Sequence, residues 1–278
     1  MTGEAAAGPA PAGRSLGAAV VTAVALVGLI VTAFVIGRIA FFVLVCAVVL
    51  IALFELLEML VRSGRRVPIP FGVLCGFGLL LSAFLEQIEW AVAVVAVTAF
   101  GGLLLALRPG RGEKPATDVG WMVLGVTWVA GGGAGATSIL MLPGGRLLLV
   151  AFIVVVALGD IGAYFVGVER GRHKIAPSIS PAKSWEGLAA GFVTALMAGQ
   201  LVAGVLFHIS VVEGIGLSLV VAVFGPTGDL VESMVKREIG TKDSGTILPG
   251  HGGFLDRLDA IVFSAPAVYL YLRFIVLG

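Results

Sequence analysis

The sequence is short of charge. Asp, Glu, Lys and Arg supply 13% of its 278 residues, roughly half of the share that a soluble domain carries. So few charged side chains cannot solvate a surface, which excludes an ordinary soluble globular protein. The net charge is +1, so no basic field favours nucleic acid as a partner.

Several common chemical motifs are absent as well. The two cysteines, Cys46 and Cys75, lie in apolar runs without CxxC or Cys/His spacing, which excludes a zinc cluster. The sequence has no GxxxxGK[ST] P-loop and no GxSxG nucleophile elbow in a suitable context. A glycine-rich stretch, residues 131–135, falls in the middle of an apolar run, where it favours helix packing over a phosphate cradle.

Apolar residues, by contrast, are abundant. They make up 59% of the chain, and the mean hydropathy is +1.09. Lipid is the natural solvent for such a chain, and helices satisfy their own backbone groups there. The pattern predicts an all-α polytopic membrane protein with about nine transmembrane helices. The predicted spans are 16–37, 39–61, 69–86, 90–107, 119–142, 146–168, 187–209, 214–235 and 257–277. Residues 1–15, rich in Ala, Gly and Pro, are expected to form a disordered tail.

The positive charges predict which side of the membrane each loop occupies. With the N-terminus inside, 15 of the 18 Lys and Arg residues fall on the inner side and 3 on the outer side. The outer three are Arg38, Arg146 and Arg273. Cytoplasmic loops carry such an excess of positive charge. The topology predicted is therefore N-terminus cytoplasmic and C-terminus outside, in a cell (inner or plasma) membrane.

Acidic residues inside apolar spans are candidates for function, because charge in lipid is costly. Asp160 lies late in the sixth span between small residues, which would let a helix or ligand approach. Asp229 and Glu232 lie one turn apart at the inner end of the eighth span, on one helix face. Two acids without an adjacent base in the same span predict a bound divalent metal ion. Glu55 and Glu58, near Arg62 and Arg65, are expected to form ion pairs at a helix end.

Two polar loops on the predicted inner side complete the candidate site. The first, residues 169–186, is basic and contains Ser180, Lys183 and Ser184; such a loop can also serve only as a topology determinant or lipid anchor. The second, residues 236–259, combines cations, glycines, acids and a histidine. Its candidate residues are Lys236, Arg237, Lys242, Asp243, His251, Gly252, Gly253, Asp256, Arg257 and Asp259.

Cations beside exposed glycine backbone suit a polyphosphate, and carboxylates beside them suit a bridging Mg²⁺. The spans and loops together therefore predict a nucleotide and metal site at the cytoplasmic interface. His251 is either a general base or a structural or phosphate-contacting residue. A transporter or channel is the alternative from another class, but the acids cluster at one face and no internal repeat is evident.

The second loop carries a dense signature. Its fixed positions are Ser233, Lys236, Arg237, Lys242, Asp243, Gly245, Leu248, Pro249, His251, Gly252, Gly253, Phe254, Asp256, Arg257, Leu258 and Asp259. This stretch resembles the signature of the phosphatidate cytidylyltransferase (CDP-diacylglycerol synthase) family. The preceding residues 228–233 and the segment from Asp160 to Gly187 look similar too, except that Ala182 and Ser184 replace a frequent lysine and threonine. The resemblance is specific over roughly 155–260, whereas the N-terminal spans match only in being hydrophobic.

The resemblance implies an enzyme that joins CTP to phosphatidic acid, giving CDP-diacylglycerol and pyrophosphate for phospholipid biosynthesis. It implies Mg²⁺, a second monovalent cation such as K⁺, membrane lipids as surroundings and a homodimer. Asp229 and Asp256 match the family's metal-binding aspartates, and Glu232 joins them by position. Lys236, Arg237 and Lys242 would neutralise the phosphates, with Asp160, Asp243 and His251 as further catalytic candidates. The candidates for binding the nucleotide are Ser180, Lys183, Ser184, Gly252, Gly253 and Arg257.

These assignments divide the chain into a transmembrane region at 16–142, with helices one to five, and a catalytic region at 143–278, with helices six to nine. Within the same enzyme class, an isoprenoid-lipid cytidylyltransferase or a prenol kinase is the alternative. The match from Ser233 to Asp259 argues against both.

Overall fold

Helices make up almost all of the structure, a computed structural model that describes residues 16–108, 113–204, 210–241 and 253–278. The helices are α1 Leu16–Ile36, α2 Arg38–Arg62, α3 Ile69–Phe84, α4 Ile88–Ala106, α5 Pro115–Gly125, α6 Gly131–Met141, α7 Gly145–Arg170, α8 Trp185–Val202, α9 Val211–Glu238 and α10 Leu255–Tyr271. Wider π-helical turns, Val126–Ala130 and Leu272–Val276, join α5 to α6 and extend α10. The predicted tail at 1–15 lies outside the described residues.

Length and composition identify seven segments that can cross a bilayer among the described residues. They are Arg38–Arg62, Ile88–Ala106, Pro115–Met141, Gly145–Arg170, Trp185–Val202, Val211–Glu238 and Leu255–Val276. The other two predicted spans contain shorter apolar helices, Val24–Ile36 and Ile69–Phe84. The chain is therefore a multi-pass membrane protein, while the count of nine and the orientation of the termini stay predictions.

A small β-hairpin between α7 and α8 corrects the purely helical prediction. Strand β1 (Lys174–Ala176) pairs antiparallel with β2 (Ser180–Ser184). Pro177 and Pro181 fall in this stretch. Proline fixes φ, lacks an N–H and disfavours helix in the residue before it. The chain therefore leaves the helical conformation here and forms a turn flanked by extended backbone.

The glycine-rich stretch forms the start of α6 and packs against α10. A Cβ on Gly132 would lie 2.0 Å from the carbonyl oxygen of Val262, and one on Gly135 would lie 2.7 Å from the nitrogen of Pro266. Only glycine allows the two backbones to come this close, so the stretch serves helix packing, as its position in the sequence indicates. The contact places α10 in the interior of the bundle, where Leu255, Ala265 and Val268 are fully buried.

Candidate active site

Three carboxylates converge where α9 and α10 cross. Asp229 and Glu232 extend from α9, and Asp259 extends from the first turn and a half of α10. One oxygen of each lies within 4.8 Å of the others. Glu232 and Asp259 are buried, whereas Asp229 is half-buried. Such an all-oxygen set is the kind of site that binds a hard divalent cation.

Gly228 explains why the two helices approach closely enough for these carboxylates to meet. A Cβ at this position would lie 2.5 Å from the carbonyl oxygen of Asp259 and 2.6 Å from the Cβ of Phe263. Any side chain would push α10 away from α9. The glycine immediately before Asp229 therefore sets the distance across which the acids face one another.

Lys236 links the cluster to a fourth acid. Its Nζ atom lies 2.8 Å from Oδ1 of Asp256, to which it donates a hydrogen bond, and 3.3 Å from Oε1 of Glu232. The backbone N–H of Gly253 donates to the other oxygen of Asp256 at 3.0 Å. Oε1 of Glu232 is buried and accepts no hydrogen bond of good geometry from the described residues. This oxygen forms the ion pair with Lys236 and retains the capacity to bind a cation, so the residues present fit a metal ion.

The β-hairpin closes one side of the site. Lys183, on β2, forms an ion pair with Asp229 at 2.5 Å and donates to the carbonyl oxygen of Pro226 at 3.5 Å. Arg237, at the end of α9, donates from Nε to the carbonyl oxygen of Ile179 in the hairpin turn. These contacts fix the hairpin to the same turns of α9 that carry the acids.

Asp160, from α7, lies at the edge of the same cluster. It interacts electrostatically with Asp229 and with Lys183. It also lines a small, open cleft between α7, α8 and α9. Most of the other lining residues are small or apolar, among them Gly159, Gly191 and Ala195. A charged group therefore adjoins a mainly apolar cleft, an arrangement that suits a ligand with a charged and a hydrophobic end.

The remaining predicted residues fall into three groups. Ser180 begins β2, and Ser184 is buried as the N-cap of α8, where its hydroxyl accepts from the N–H of Gly187. Gly253 contributes its backbone N–H to Asp256, and Arg257 is exposed on the first turn of α10. Four predicted residues lie outside the described residues: Lys242, Asp243, His251 and Gly252.

Two acids in or beside this site have contacts that the sequence did not predict. Asp259, which the sequence placed in the second loop without a metal-binding role, lies with Asp229 and Glu232, and Asp256 contacts Glu232 beside this group. Its signal in the sequence is the spacing Asp256-x-x-Asp259, which places both acids on one face of α10. Among the described residues, Glu55 does not form the predicted ion pair; its buried side chain accepts a hydrogen bond from the N–H of Leu255. Glu58 does form the predicted ion pair, with Arg62.

A family comparison identifies the chain. The model of the cytidylyltransferase family matches residues 17–275. The chain belongs to the cytidylyltransferase family. Because the match begins at residue 17, it includes the N-terminal helices, which the sequence alone related to the family only by their hydrophobicity.

Individual relatives of this cytidylyltransferase-family chain agree. It is 31% identical over 279 residues to the phosphatidate cytidylyltransferase of Mycobacterium bovis, covering 94% of this chain and 89% of the relative. It is 36% identical over 245 residues to the phosphatidate cytidylyltransferase of Bacillus subtilis, covering 86% and 90%. It is also 38% identical over 144 residues to the uncharacterized protein YnbB of Escherichia coli, covering 50% and 48%.

Proposed function

We propose that this protein is a phosphatidate cytidylyltransferase, which makes CDP-diacylglycerol and pyrophosphate from CTP and phosphatidic acid. The observation that carries the proposal is the cluster of Asp229, Glu232 and Asp259, flanked by two lysines, in a chain of this family. A phosphate oxygen of the lipid forms a bond to the α-phosphorus of CTP. The bond from the α-phosphorus to the oxygen that bridges it to the β-phosphorus breaks, and pyrophosphate leaves with the electron pair of that bond.

Repulsion between the two anionic substrates is the main obstacle to this reaction. Lys183 pairs with Asp229, Lys236 pairs with Asp256 and Glu232, and Arg237 follows Lys236 on α9. These cations would attract the phosphates and stabilise the charge that develops on the leaving group. Because the phosphate oxygen of the lipid is already ionised at pH 7, the step requires no general base, and this leaves His251 a supporting role.

The carboxylates would hold Mg²⁺ through Asp229, Glu232 and Asp259, with Asp256 held beside them by Lys236. When bound, the ion draws the two anions together and polarises the phosphoryl oxygens. A second, monovalent cation such as K⁺, which the family resemblance implies, belongs to the same proposal. Lys183, which pairs with Asp229, lies where it would contact a phosphate of the nucleotide.

The lipid substrate would enter from the membrane side. The cleft beside Asp160 lies between three membrane-spanning helices and is mainly apolar, which suits the glycerol and acyl end of phosphatidic acid. The excess of positive charge on one side supports a site that faces the cytoplasm, where CTP is found. A homodimer in the membrane belongs to the same proposal.

The direct test is an assay of purified protein in detergent with dioleoyl phosphatidic acid and labelled CTP. We expect CDP-diacylglycerol and pyrophosphate in equal amounts, little product with ATP or GTP, and no turnover after removal of divalent metal. Transfer of the γ-phosphate of ATP to a lipid alcohol would establish a kinase instead. Product formed from an isoprenoid phosphate but not from phosphatidic acid would change the lipid assigned.

A further inference from the structure

Glu55 is an acid buried in the N-terminal half of the protein. It lies in α2, its residue exposure is 1%, and its Oε2 atom accepts a hydrogen bond from the backbone N–H of Leu255 at 3.0 Å. The two residues are 200 positions apart in the chain. A contact of this kind joins a helix outside the signature to the first residue of α10.

The contact meets a specific need of α10. The first N–H groups of a helix have no partner within the helix, and they favour a negative charge. The residue before α10, Phe254, provides no side-chain cap. Glu55 therefore supplies from another helix the acceptor that the local sequence lacks. Asp256 follows Leu255 directly, and Asp259 follows one turn later, so the position of this end of α10 determines where both carboxylates lie.

A second contact from the same face of α2 reaches the residues just after the end of α9. Met59 lies one turn after Glu55 and is also buried. Its sulfur accepts a hydrogen bond from the hydroxyl of Thr241 at 3.2 Å. Thr241 follows α9, and Leu255 begins α10. The inner end of α2 thus contacts both residues between which most of the signature runs in sequence.

The burial of Glu55 is not explained by stability alone. Its second oxygen, Oε1, is buried without a hydrogen-bond partner among the described residues. A buried and incompletely paired carboxylate commonly costs free energy compared with an apolar side chain of similar volume. Its presence is accounted for if the hydrogen bond to Leu255 serves the site rather than the stability of the bundle.

We infer that Glu55 is a positioning residue of the active site, which holds the start of α10 so that Asp256 and Asp259 face Asp229 and Glu232. The inference rests on the proposed function only for its activity readout. Glu55 acts through the backbone of Leu255 and is not assigned a contact with either substrate.

Two conservative variants separate the hydrogen bond from the charge. Glu55→Gln keeps an acceptor oxygen at the same reach and removes the charge, whereas Glu55→Asp keeps the charge and withdraws the acceptor by one methylene. We expect Glu55→Gln to retain kcat within about threefold and Glu55→Asp to lose about ten- to a hundredfold, the scale of a displacement of roughly 1 Å at a catalytic site. KM for CTP should change little, because the nucleotide-binding lysines are untouched.

Glu58→Ala is the matched control and should behave as wild type. Glu58 lies on the same helix, and among the described residues it pairs only with Arg62 at the surface.

A binding measurement without substrates makes the test independent of the reaction. Titration of each purified protein with Mn²⁺, followed by electron paramagnetic resonance, should give a dissociation constant about tenfold weaker for Glu55→Asp and near that of wild type for Glu55→Gln. The thermal midpoints of both variants should match that of Glu58→Ala. The inference is overturned if Glu55→Asp binds Mn²⁺ as wild type does, if Glu55→Gln is the weaker of the two, or if the losses follow the thermal midpoints. Wild-type protein without cytidylyltransferase activity would refute the proposed function, and the Mn²⁺ comparison would still decide the role of Glu55.

Discussion

Lys236 on α9 donates a hydrogen bond to Asp256 on α10 and at the same time lies 3.3 Å from the buried carboxylate of Glu232. One side chain thus ties together the two helices that carry the acids. Its positive charge also partly neutralises the negative charges of these carboxylates. A single lysine therefore has both a structural and an electrostatic role at the site, and substitutions can separate the two.

Lys236→Met should remove the charge and keep most of the volume. Breaking a buried ion pair by removing one partner costs about 3–5 kcal/mol, so we expect a lower thermal midpoint and an activity reduced by at least a hundredfold. The acids left without the lysine should make the protein more dependent on metal. Added Mg²⁺ should accordingly raise the thermal midpoint of Lys236→Met more than that of wild type. An equal rise in both proteins would show that Lys236 does not neutralise the metal-binding acids.

Gly228→Ala tests the close approach of α9 and α10. The added Cβ would lie 2.5 Å from the carbonyl oxygen of Asp259, a backbone atom that cannot move alone. Overpacking of this kind costs about 1–3 kcal/mol, and it should also separate the carboxylates and reduce activity by more than tenfold. Gly120→Ala is the matched control, because a Cβ there meets nothing within 4 Å. The thermal midpoint and kcat are measured for both variants. If Gly228→Ala changes them no more than Gly120→Ala does, the contact between α9 and α10 tolerates the methyl group.

The sequence predicts the features that neighbouring residues determine, and it does not predict those that depend on contacts between distant parts of the chain. Helical segments were predictable because one local signal, a run of apolar residues, sets them. The faces of α9 were predictable too, since the spacing of Asp229, Glu232 and Lys236 follows helical periodicity. The grouping of Asp259 with the other acids depends on how two helices cross, and a single glycine sets that distance. The contact of Glu55 with Leu255 joins distant parts of the chain, and no local pattern announces it.

Whether the number of membrane crossings is odd or even determines whether the two termini lie on opposite sides of the membrane. In the described part of the chain, seven segments are long enough to cross, and the two shorter apolar helices, α1 and α3, decide the total. If both cross, a tag at the N-terminus reports from the cytoplasm, one in the turn at Ser63 also from the cytoplasm, and one after Leu277 from outside. If only one crosses, the two termini lie on the same side. We expect the first result, because it alone keeps 15 of the 18 basic residues on the inner side.

The last prediction concerns the aspartates and decides which of them bind metal. Asn has nearly the size of Asp and keeps one oxygen, but it lacks the charge that holds Mg²⁺. Asp229→Asn and Asp259→Asn should each reduce kcat by about a hundredfold or more, on the scale of losing several kcal/mol of electrostatic stabilisation. Both should weaken Mn²⁺ binding in the absence of substrates.

Asp256→Asn is the informative comparison, because this residue pairs with Lys236 and lies outside the group of three. If Asp256 only orients the lysine, its Asn variant should lose activity while its affinity for Mn²⁺ falls much less than that of Asp259→Asn. Equal losses of affinity in all three variants would make Asp256 a metal ligand, as the family resemblance implies. Unchanged affinity in Asp259→Asn would remove it from the site, and the metal would then have to be assigned to Asp229, Glu232 and Asp256.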